Sequence, residues 1–271
     1  ANYPNVAPTT PPGSPASTTA NSKFKSHPPN QLSLYIHGGR DLKEGPISSL
    51  WRLNLTVCRT MGEDTDSVMW ECISTTGKGP GSISHHSSYM VDDSNVIIYG
   101  GVSCDENANV VFKLNLDRNI WTRIAFKKSD TILPRDDHAI AIREDGGFMV
   151  FGGFVQGSRC NETLSFECEG ANADLDGDHV KCDENAVKPL IRASMSAACC
   201  NNKLWVFGGQ DDDNNKLCDL WCYDMAKCAW SQIKCNQGDY WPCPRSGHSA
   251  VTWNSKMYIF GGIYELTKEL N

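Results

Sequence analysis

Three arginines stand at the same place in polar segments that recur along the chain. The segments read Pro134-Arg135-Asp136-Asp137-His138, Ile191-Arg192-Ala193-Ser194-Met195 and Pro244-Arg245-Ser246-Gly247-His248. A guanidinium group offers a planar fork of donors that binds a carboxylate or a phosphate through two parallel hydrogen bonds. Arg135, Arg192 and Arg245 are therefore candidate residues for binding an acidic partner. The alternative is that each arginine pairs with an acidic neighbour inside the fold and stabilises it.

Histidines recur in phase with these arginines, three residues further along the chain, at His86, His138 and His248. In the segment that contains His86, Ile83 takes the place of the arginine. A metal site needs several ligands that converge, and the neighbours of these histidines carry no further ligands at a useful spacing. We therefore predict structural, hydrogen-bonded histidines and no metal site.

Two acidic stretches invite comparison with a cation site. Carboxylates alternate along Asp174-Leu175-Asp176-Gly177-Asp178, as they do at the start of a calcium-binding loop. Such a loop carries a bidentate glutamate at its twelfth position, and the chain has none there. We predict a solvated loop for this stretch and for the acidic turn at Asp211-Asp212-Asp213.

The thirteen cysteines and the two glycosylation sequons favour different compartments. An odd number of cysteines cannot pair completely, and no paired Cys-x-x-Cys spacing of a zinc site occurs among Cys218, Cys222, Cys228, Cys235 and Cys243. We predict packed or free thiols, which are typical of a reducing, intracellular setting. The sequons favour an extracellular alternative, and they are Asn54-Leu55-Thr56 and Asn161-Glu162-Thr163.

No motif of a common enzyme class occurs in the chain. It has no glycine-rich phosphate loop followed by lysine, no Gly-x-Ser-x-Gly turn and no His-Glu-x-x-His helix. We therefore predict no catalytic residues, no cofactor and no enzyme activity.

A net charge of −7 argues against general nucleic-acid binding, which needs a basic surface. No apolar run is long enough to insert across a membrane.

The elements that position these residues are short apolar runs that end in two glycines. A run without polar alternation predicts a strand buried on both faces. Paired glycines allow positive φ and the close approach of a neighbouring backbone or ring. The pairs recur at intervals of roughly 50 to 60 residues, which is typical of a repeat architecture. They are Gly38-Gly39, Gly100-Gly101, Gly152-Gly153, Gly208-Gly209 and Gly261-Gly262.

Other residues recur in phase with the glycines. An apolar residue follows each of the first four pairs at a near-constant distance, at Leu53, Leu114, Phe166 and Tyr223. A tryptophan comes next in three of these units, at Trp70, Trp121 and Trp230. Together these marks resemble the kelch repeat, in which each unit forms one four-stranded blade of a β-propeller. The resemblance covers about residues 31–271 and is weakest in the third unit, where no tryptophan follows.

The resemblance implies an all-β fold, a kelch-type β-propeller with about five repeat units and four-stranded blades. The strands that the pattern predicts do not complete a ring, because the last unit supplies two, so we expect an incomplete propeller. Residues 1–30 are rich in Pro, Ser and Thr and are predicted to be a disordered linker. The acidic stretch from Glu167 to about Val187 is predicted to be a surface insertion that replaces a fourth strand.

The resemblance also implies a protein–protein interaction module, a scaffold or adaptor that binds a protein partner through its loops and channel mouth. In kelch domains that bind acidic peptides, arginines at the matching position reach the mouth, so an acidic peptide is the expected ligand of Arg135, Arg192 and Arg245. We expect a cytoplasmic location, with the cytoskeleton as one setting, in a larger chain or assembly. Two alternatives stay open, a metal-dependent propeller enzyme and an extracellular glycosylated adhesion domain.

Overall fold

A computed structural model describes residues 32–43, 45–55, 70–103, 111–124, 132–167, 176–180, 186–236, 240–265 and 268–269. The predicted linker, residues 1–30, lies outside these ranges. Nearly all regular structure in the described part is β-strand. The first twelve strands are β1 (Ser33–His37), β2 (Arg40–Asp41), β3 (Gly45–Pro46), β4 (Leu50–Asn54), β5 (Trp70–Ile73), β6 (Thr76–Gly77), β7 (Ile83–Ser84), β8 (Ser87–Asp92), β9 (Asn95–Tyr99), β10 (Val102–Ser103), β11 (Val111–Asn115) and β12 (Ile120–Ile124). The others are β13 (Arg135–Asp136), β14 (Ala139–Ile142), β15 (Phe148–Phe151), β16 (Phe154–Val155), β17 (Ser158–Arg159), β18 (Thr163–Glu167), β19 (Asp176–His179), β20 (Ser196–Cys200), β21 (Lys203–Gln210), β22 (Lys216–Asp224), β23 (Ala229–Ile233), β24 (Ser249–Trp253), β25 (Lys256–Phe260), β26 (Ile263–Glu265) and β27 (Lys268–Glu269).

The longer strands assemble into five antiparallel sheets, one for each repeat, which we call blades 1 to 5. Blade 1 contains β1, β4 and β5, and blade 5 contains β24 and β25. Blades 2, 3 and 4 have four strands each, in the orders β8-β9-β11-β12, β14-β15-β18-β19 and β20-β21-β22-β23. In every blade each strand pairs with its neighbour in sequence, which is the arrangement of a propeller blade. The predicted all-β architecture of four-stranded repeat units is therefore confirmed.

The core of the described part of the chain consists of three apolar clusters, each formed between two neighbouring blades. β15 illustrates why, because all four of its residues are buried. Phe148 and Val150 pack with side chains of blade 2, whereas Met149 and Phe151 pack with side chains of blade 4. Burial of one such side chain stabilises a fold by about 1.5–3 kcal/mol. Blades 2 and 3 are therefore held by apolar contacts on both of their faces.

The two end blades each leave one face uncovered. Leu34 and Ile36 of blade 1 are 46% and 49% exposed, and Val251 and Phe260 of blade 5 are 61% and 72% exposed. Among the described residues, no strand of blade 5 pairs with a strand of blade 1. The described blades therefore form an open series, in agreement with the predicted incomplete ring.

Blade 3 has a regular fourth strand, so the prediction that an insertion replaces it is wrong. β19 pairs antiparallel with β18, and Gly177 lies opposite Phe166, where blades 2 and 4 carry Trp121 and Trp230. A Cβ atom on Gly177 would lie 2.4 Å from the ring of Phe166. That ring stacks on Phe148 at 4.5 Å, so phenylalanines fill the place that tryptophan takes in the other blades. The solvated loop predicted for this acidic stretch is likewise wrong where β19 crosses it.

Four of the five glycine pairs form a joint with the next blade. The N–H group of Gly101 donates to the carbonyl oxygen of Arg135 at 2.9 Å. The same bond recurs at the second glycine of three other pairs, Gly39, Gly153 and Gly209. The first glycine, Gly100, has a φ of +66°, and a Cβ atom there would lie 2.4 Å from the Arg135 oxygen and 2.7 Å from Cε1 of His138. Glycine satisfies both the backbone angle and the space at this joint.

A Gly100→Ala substitution tests the joint, with Gly247→Ala as its matched control. Both glycines have a φ of +66°, but nothing lies within 4 Å of a Cβ atom built on Gly247. Alanine should cost about 1–2 kcal/mol at either site for the left-handed backbone and about 1–3 kcal/mol more at Gly100 for the clash. Urea unfolding measures the difference. Equal losses for the two variants would contradict a packing role for Gly100.

Candidate functional site

One face of the propeller collects the connections between the second and third strands of the blades. They include the hairpins β2–β3, β16–β17 and β26–β27 and the loop at 211–215. The polar segments that carry the arginines lie on the same face, because β13, which begins at Arg135, pairs with β16. Single bridges repeat this pairing in blade 4, between Ala193 and Gln210, and in blade 5, between Ser246 and Ile263. We call this surface the hairpin face.

Four residues on the hairpin face form an inter-blade ladder of backbone hydrogen bonds. The N–H of Asp137 donates to the carbonyl of His85 at 3.0 Å, that of Ser194 to Asp137 at 3.0 Å, and that of Gly247 to Ser194 at 2.8 Å. All four residues have positive φ, between 54° and 66°. The ladder joins blades 2 to 5 and holds the side chains of His85, Asp137 and Ser194 close together. It was missed in the sequence, although an in-phase glycine, Gly247, signals a left-handed backbone at this position.

The ladder side chains form a polar cluster that suits binding better than catalysis. The hydroxyl of Ser194 donates to a carboxylate oxygen of Asp137. The other carboxylate oxygen lies 3.6 Å from Nδ1 of His85, whose side chain is 46% exposed. The carboxylate therefore stands between the hydroxyl and the imidazole. In acyl-transfer enzymes the imidazole contacts the hydroxyl directly and removes its proton, so this order does not activate Ser194.

Two of the three predicted arginines are buried in ion pairs within their own blades. Arg192 is fully buried, and its Nη1 and Nη2 donate to the two carboxylate oxygens of Asp219 at 2.6 and 2.8 Å. Arg135 is 2% exposed and donates to Glu162 at 2.7 Å. Each Nη1 also donates to the carbonyl oxygen of the first glycine of that blade. These contacts tie the start of the blade to its second and third strands, and binding of a partner by these two arginines stays a prediction.

The carboxylate of Asp219 is held in its charged form. Burial acts to raise its pKa, but the guanidinium of Arg192 and the indole N–H of Trp221 outweigh burial and lower the pKa below the usual range. Charge-assisted, bidentate bonds of this kind are among the strongest in proteins. The Arg192–Asp219 pair therefore stays ionised under ordinary conditions.

Arg245 differs from the other two arginines in what it contacts. Its Nη1 donates to the carbonyl oxygen of Gly261 at 3.0 Å, which repeats the glycine contact of the other blades. Its Nε donates to the carbonyl oxygen of Cys243 at 3.2 Å. Among the side chains that the structure describes, which do not include those of Glu265 and Glu269, no carboxylate lies within salt-bridge distance of Arg245, whose side chain is partly exposed. Of the three predicted binding residues, Arg245 is the one for which the structure describes no carboxylate partner, and its binding of an acidic partner stays a prediction.

The in-phase histidines lie in the blade joints. His138 lies between the first glycine of blade 2 and the second glycine of blade 3, and neither of its ring nitrogens has a hydrogen-bond partner in the described part of the chain. Burial, reinforced by the charge on Arg135, lowers the pKa of His138 to about 3. His248 is hydrogen-bonded through Nε2 to Ser196 at 2.7 Å, and its pKa is lowered to about 4, mainly by burial. The predicted hydrogen bonding therefore holds for His248 but not for His138. Met195 takes the equivalent place in blade 4.

One glycosylation sequon is engaged by the fold. The side-chain amide of Asn161 donates to the carbonyl oxygen of Pro189 at 2.8 Å, and Thr163 is 6% exposed.

The described cysteines are free thiols: Cys72, Cys160, Cys199, Cys200, Cys218, Cys222, Cys228, Cys235 and Cys243. Across the described ranges, no cluster of three His, Cys, Asp or Glu side chains is arranged to hold a metal ion. The described part of the chain contains no helix that could cross a membrane.

Exposed apolar side chains flank the polar ladder on the hairpin face. Leu133 and Leu190 each lie two residues before an arginine and are 39% and 63% exposed. The carbonyl oxygen of Leu190 accepts a hydrogen bond from Nε of Arg192, which fixes the backbone there. Lys216 begins β22 nearby, and burial together with the neighbouring Arg159 lowers its pKa. The face thus combines fixed apolar groups with charged ones, as protein interfaces do.

Comparison with known proteins identifies similar repeats. A family model described as the KLHDC2/KLHL20/DRC7 Kelch-repeats domain matches residues 24–172 and 173–271. Tip elongation aberrant protein 3 of Schizosaccharomyces pombe is 27% identical over 240 residues, which cover 76% of this chain and 20% of that protein. Kelch domain-containing protein 3 of Bos taurus is 27% identical over 243 residues, 85% of this chain and 58% of the relative.

A shorter match is to a protein of a different kind. The tRNA wybutosine-synthesizing protein 2/3/4 of Arabidopsis thaliana is 33% identical over 117 residues, 43% of this chain and 11% of that protein. The chain therefore spans less than two thirds of the length of each of these three relatives.

An Asp219→Asn substitution tests the buried ion pair. It leaves the fully buried guanidinium of Arg192 without its carboxylate, so we expect the free energy of unfolding to fall by about 3–5 kcal/mol. The control is Glu71→Gln, which removes an exposed pair with Arg52 whose side chains are 39% and 59% exposed. That loss should stay below about 1 kcal/mol. Urea unfolding of both variants decides the matter, and similar small losses would mean that the buried pair adds little.

A His138→Met substitution tests the acid sensitivity of the joints. The folded protein holds His138 neutral down to a pKa of about 3, whereas the unfolded chain takes up this proton near pH 6.5. Stability should therefore fall as the pH drops below about 6.5, by up to about 1.4 kcal/mol per pH unit for each such histidine. Methionine, which fills this place in blade 4, should flatten the slope and leave stability at pH 7.5 nearly unchanged. An unchanged slope between pH 6.5 and 4 would contradict the assignment.

Proposed function

Because the chain belongs to the kelch-repeat family, we propose that it acts as a protein–protein interaction module whose hairpin face binds a protein partner. The observation that carries the proposal is the repeat of exposed leucines beside buried arginines, at Leu133 and Leu190. Apolar groups held on a rigid backbone make favourable anchors, because little conformational entropy is lost when a partner covers them. The polar ladder beside them supplies hydrogen-bonding groups.

The rigidity of the face supports this proposal. The leucines precede segments that are pinned by two kinds of bond, the buried arginine–carboxylate pairs and the ladder from His85 to Gly247. Binding residues on loops need such a scaffold if they are to hold one geometry. The hairpin face therefore offers a partner a preformed surface.

The alternatives have less support. An enzyme at the polar ladder is disfavoured because the carboxylate of Asp137 separates Ser194 from His85. The glycosylated extracellular domain is disfavoured by Asn161, whose amide is already used inside the fold, and by the free thiols of the described cysteines. We propose a cytoplasmic scaffold or adaptor role, in which these repeats form the binding part of a larger assembly.

A Leu190→Asp substitution tests the hairpin face. Charging this anchor should weaken binding of the partner at least tenfold, because a buried apolar contact is replaced by a desolvated carboxylate. The control is Ile142→Asp, since Ile142 is similarly exposed at 47% but ends β14 on the opposite face. Partners captured from the native extract by each tagged variant are quantified by mass spectrometry, and the lead partner is then titrated in purified form. Equal binding to both variants would place the interface elsewhere.

A further inference from the structure

Two cysteines lie near Cys218 where blade 4 joins blade 5. Cys218 belongs to β22, Cys235 follows β23, and Cys243 lies in the connection that leads to blade 5. Burial raises the pKa of the Cys218 thiol, and the neighbouring Asp219 raises it further. The charges of Cys243 and Cys235 act in the same direction. Because the interaction of two charges weakens with their separation, both of these groups lie near Cys218.

Two hydrogen bonds hold the connection between blades 4 and 5 against β22. The indole N–H of Trp241 donates to the carbonyl oxygen of Cys218 at 2.6 Å. The backbone N–H of Arg245 donates to the carbonyl oxygen of Leu217 at 3.0 Å. Cys243 lies midway between Trp241 and Arg245 in the chain, and its carbonyl oxygen accepts a bond from Nε of Arg245 at 3.2 Å. The backbone of Cys243 is therefore held next to the strand that carries Cys218.

Blade 3 shows what a side chain in the place of Cys218 can reach. The backbone bond to Leu217 has a counterpart there, in which the N–H of Arg192 donates to the carbonyl oxygen of Cys160 at 3.0 Å. The residue after this acceptor is Asn161, which therefore takes the place of Cys218. Its side-chain amide donates at 2.8 Å to the carbonyl oxygen three residues before Arg192.

The matching carbonyl in the connection to blade 5 belongs to Pro242, three residues before Arg245 and directly before Cys243. A side chain in the place of Cys218 therefore reaches the backbone beside Cys243. A disulfide joins residues whose Cα atoms lie about 4.4–6.8 Å apart. That span is comparable with an asparagine side chain and one hydrogen bond, which is the distance that Asn161 bridges in blade 3.

We propose that Cys218 and Cys243 are a redox-responsive pair that forms a disulfide when a small disulfide, such as glutathione disulfide, is the oxidant. The Cys243 thiolate attacks one sulfur of glutathione disulfide, which forms a mixed disulfide and releases one glutathione. Cys218 then loses its proton and attacks the Cys243 sulfur, which releases the second glutathione. Two protein thiols are thus oxidised, and one glutathione disulfide is reduced to two glutathione thiols. The raised pKa of Cys218 makes it the second thiol to react.

The disulfide ties the start of blade 5 covalently to the third strand of blade 4. Gly247, the last residue of the polar ladder, follows Cys243 by four residues. Its N–H donates to the carbonyl oxygen of Ser194, so this bond becomes harder to open when the connection is tied down. The pair responds to the redox state of the chain itself, so this proposal and the binding proposal for the hairpin face can fail separately.

The test places the full chain in buffers of glutathione and glutathione disulfide. Free thiols are then blocked with N-ethylmaleimide, and linked peptides are identified by mass spectrometry. Digestion before aspartate leaves Cys218 and Cys243 each alone on its peptide, because Asp219 and Asp239 separate them from the neighbouring cysteines. We expect these two peptides to become linked, and dithiothreitol should release them. Hydrogen exchange at Gly247 should slow on oxidation, and unchanged exchange there would overturn the effect on the ladder.

Serine variants complete the test. Cys218→Ser should stop at the mixed disulfide, with glutathione retained on Cys243, and in either single variant the linked peptides should fall at least about tenfold. Cys228→Ser is the matched control, since it removes an exposed thiol at the far turn of the same hairpin, and it should form the link as the parent does. If a variant is unfolded by circular dichroism, the peptide map of the parent alone decides the outcome. A link from Cys218 to Cys235, retention of glutathione on Cys243 in the parent, or no loss of thiols would each overturn the proposal.

Discussion

The structure depends on the close approach of four glycine pairs to the blades that follow them. At Gly100 the backbone of blade 2 comes so near to Arg135 and His138 that no Cβ atom fits, and the following N–H is bonded to the Arg135 carbonyl. This contact sets the distance between blades. The distance in turn decides which side chains of the second strands interlock in the apolar clusters, because close packing leaves little tolerance for a shift. Arg135 takes part in two contacts. Its carbonyl oxygen accepts the hydrogen bond from Gly101 of blade 2, and its guanidinium donates to Glu162 within blade 3.

The buried arginines show how a costly group is accommodated. Removing a guanidinium from water is unfavourable unless its donors are satisfied. Arg192 satisfies this condition with two bonds to Asp219 and one to the carbonyl of Gly208. In blade 2 the same position holds Ile83, which packs with Ile98 and Phe112 in an apolar cluster. One place in the repeat thus accepts either a fully paired cation or an aliphatic side chain, but not an unpaired charge deep in the core.

Much of the fold could be predicted from the sequence because the repeat supplies the same signal several times. The buried second strands, the glycine pairs and the phase of Trp121 and Trp230 are local patterns, and the structure confirms them. The fourth strand of blade 3 was missed because Gly177 is a poor strand former that is placed there by tertiary contact with Phe166.

The site was harder to predict because its chemistry depends on distant residues. The partners of the arginines, Glu162 and Asp219, lie 27 residues further along the chain. Whether a guanidinium faces such a carboxylate or a ligand depends on burial, and the sequence does not state burial. The ladder was missed for a similar reason, since Asp137 and Ser194 are ordinary residues whose positive φ is imposed by bonds to neighbouring blades.

The sharing of each apolar cluster by two blades has a consequence for how the molecule comes apart. Loss of blade 2 or blade 3 would expose two of the described clusters, whereas loss of blade 1 or blade 4 would expose one. The stability of the array is therefore set by contacts between neighbouring blades, as in linear repeat proteins. It increases with the number of interfaces between blades rather than with the length of the chain. Among the described blades, local opening should therefore be easiest where it exposes fewest clusters, and blades 2 and 3 should be the most persistent part.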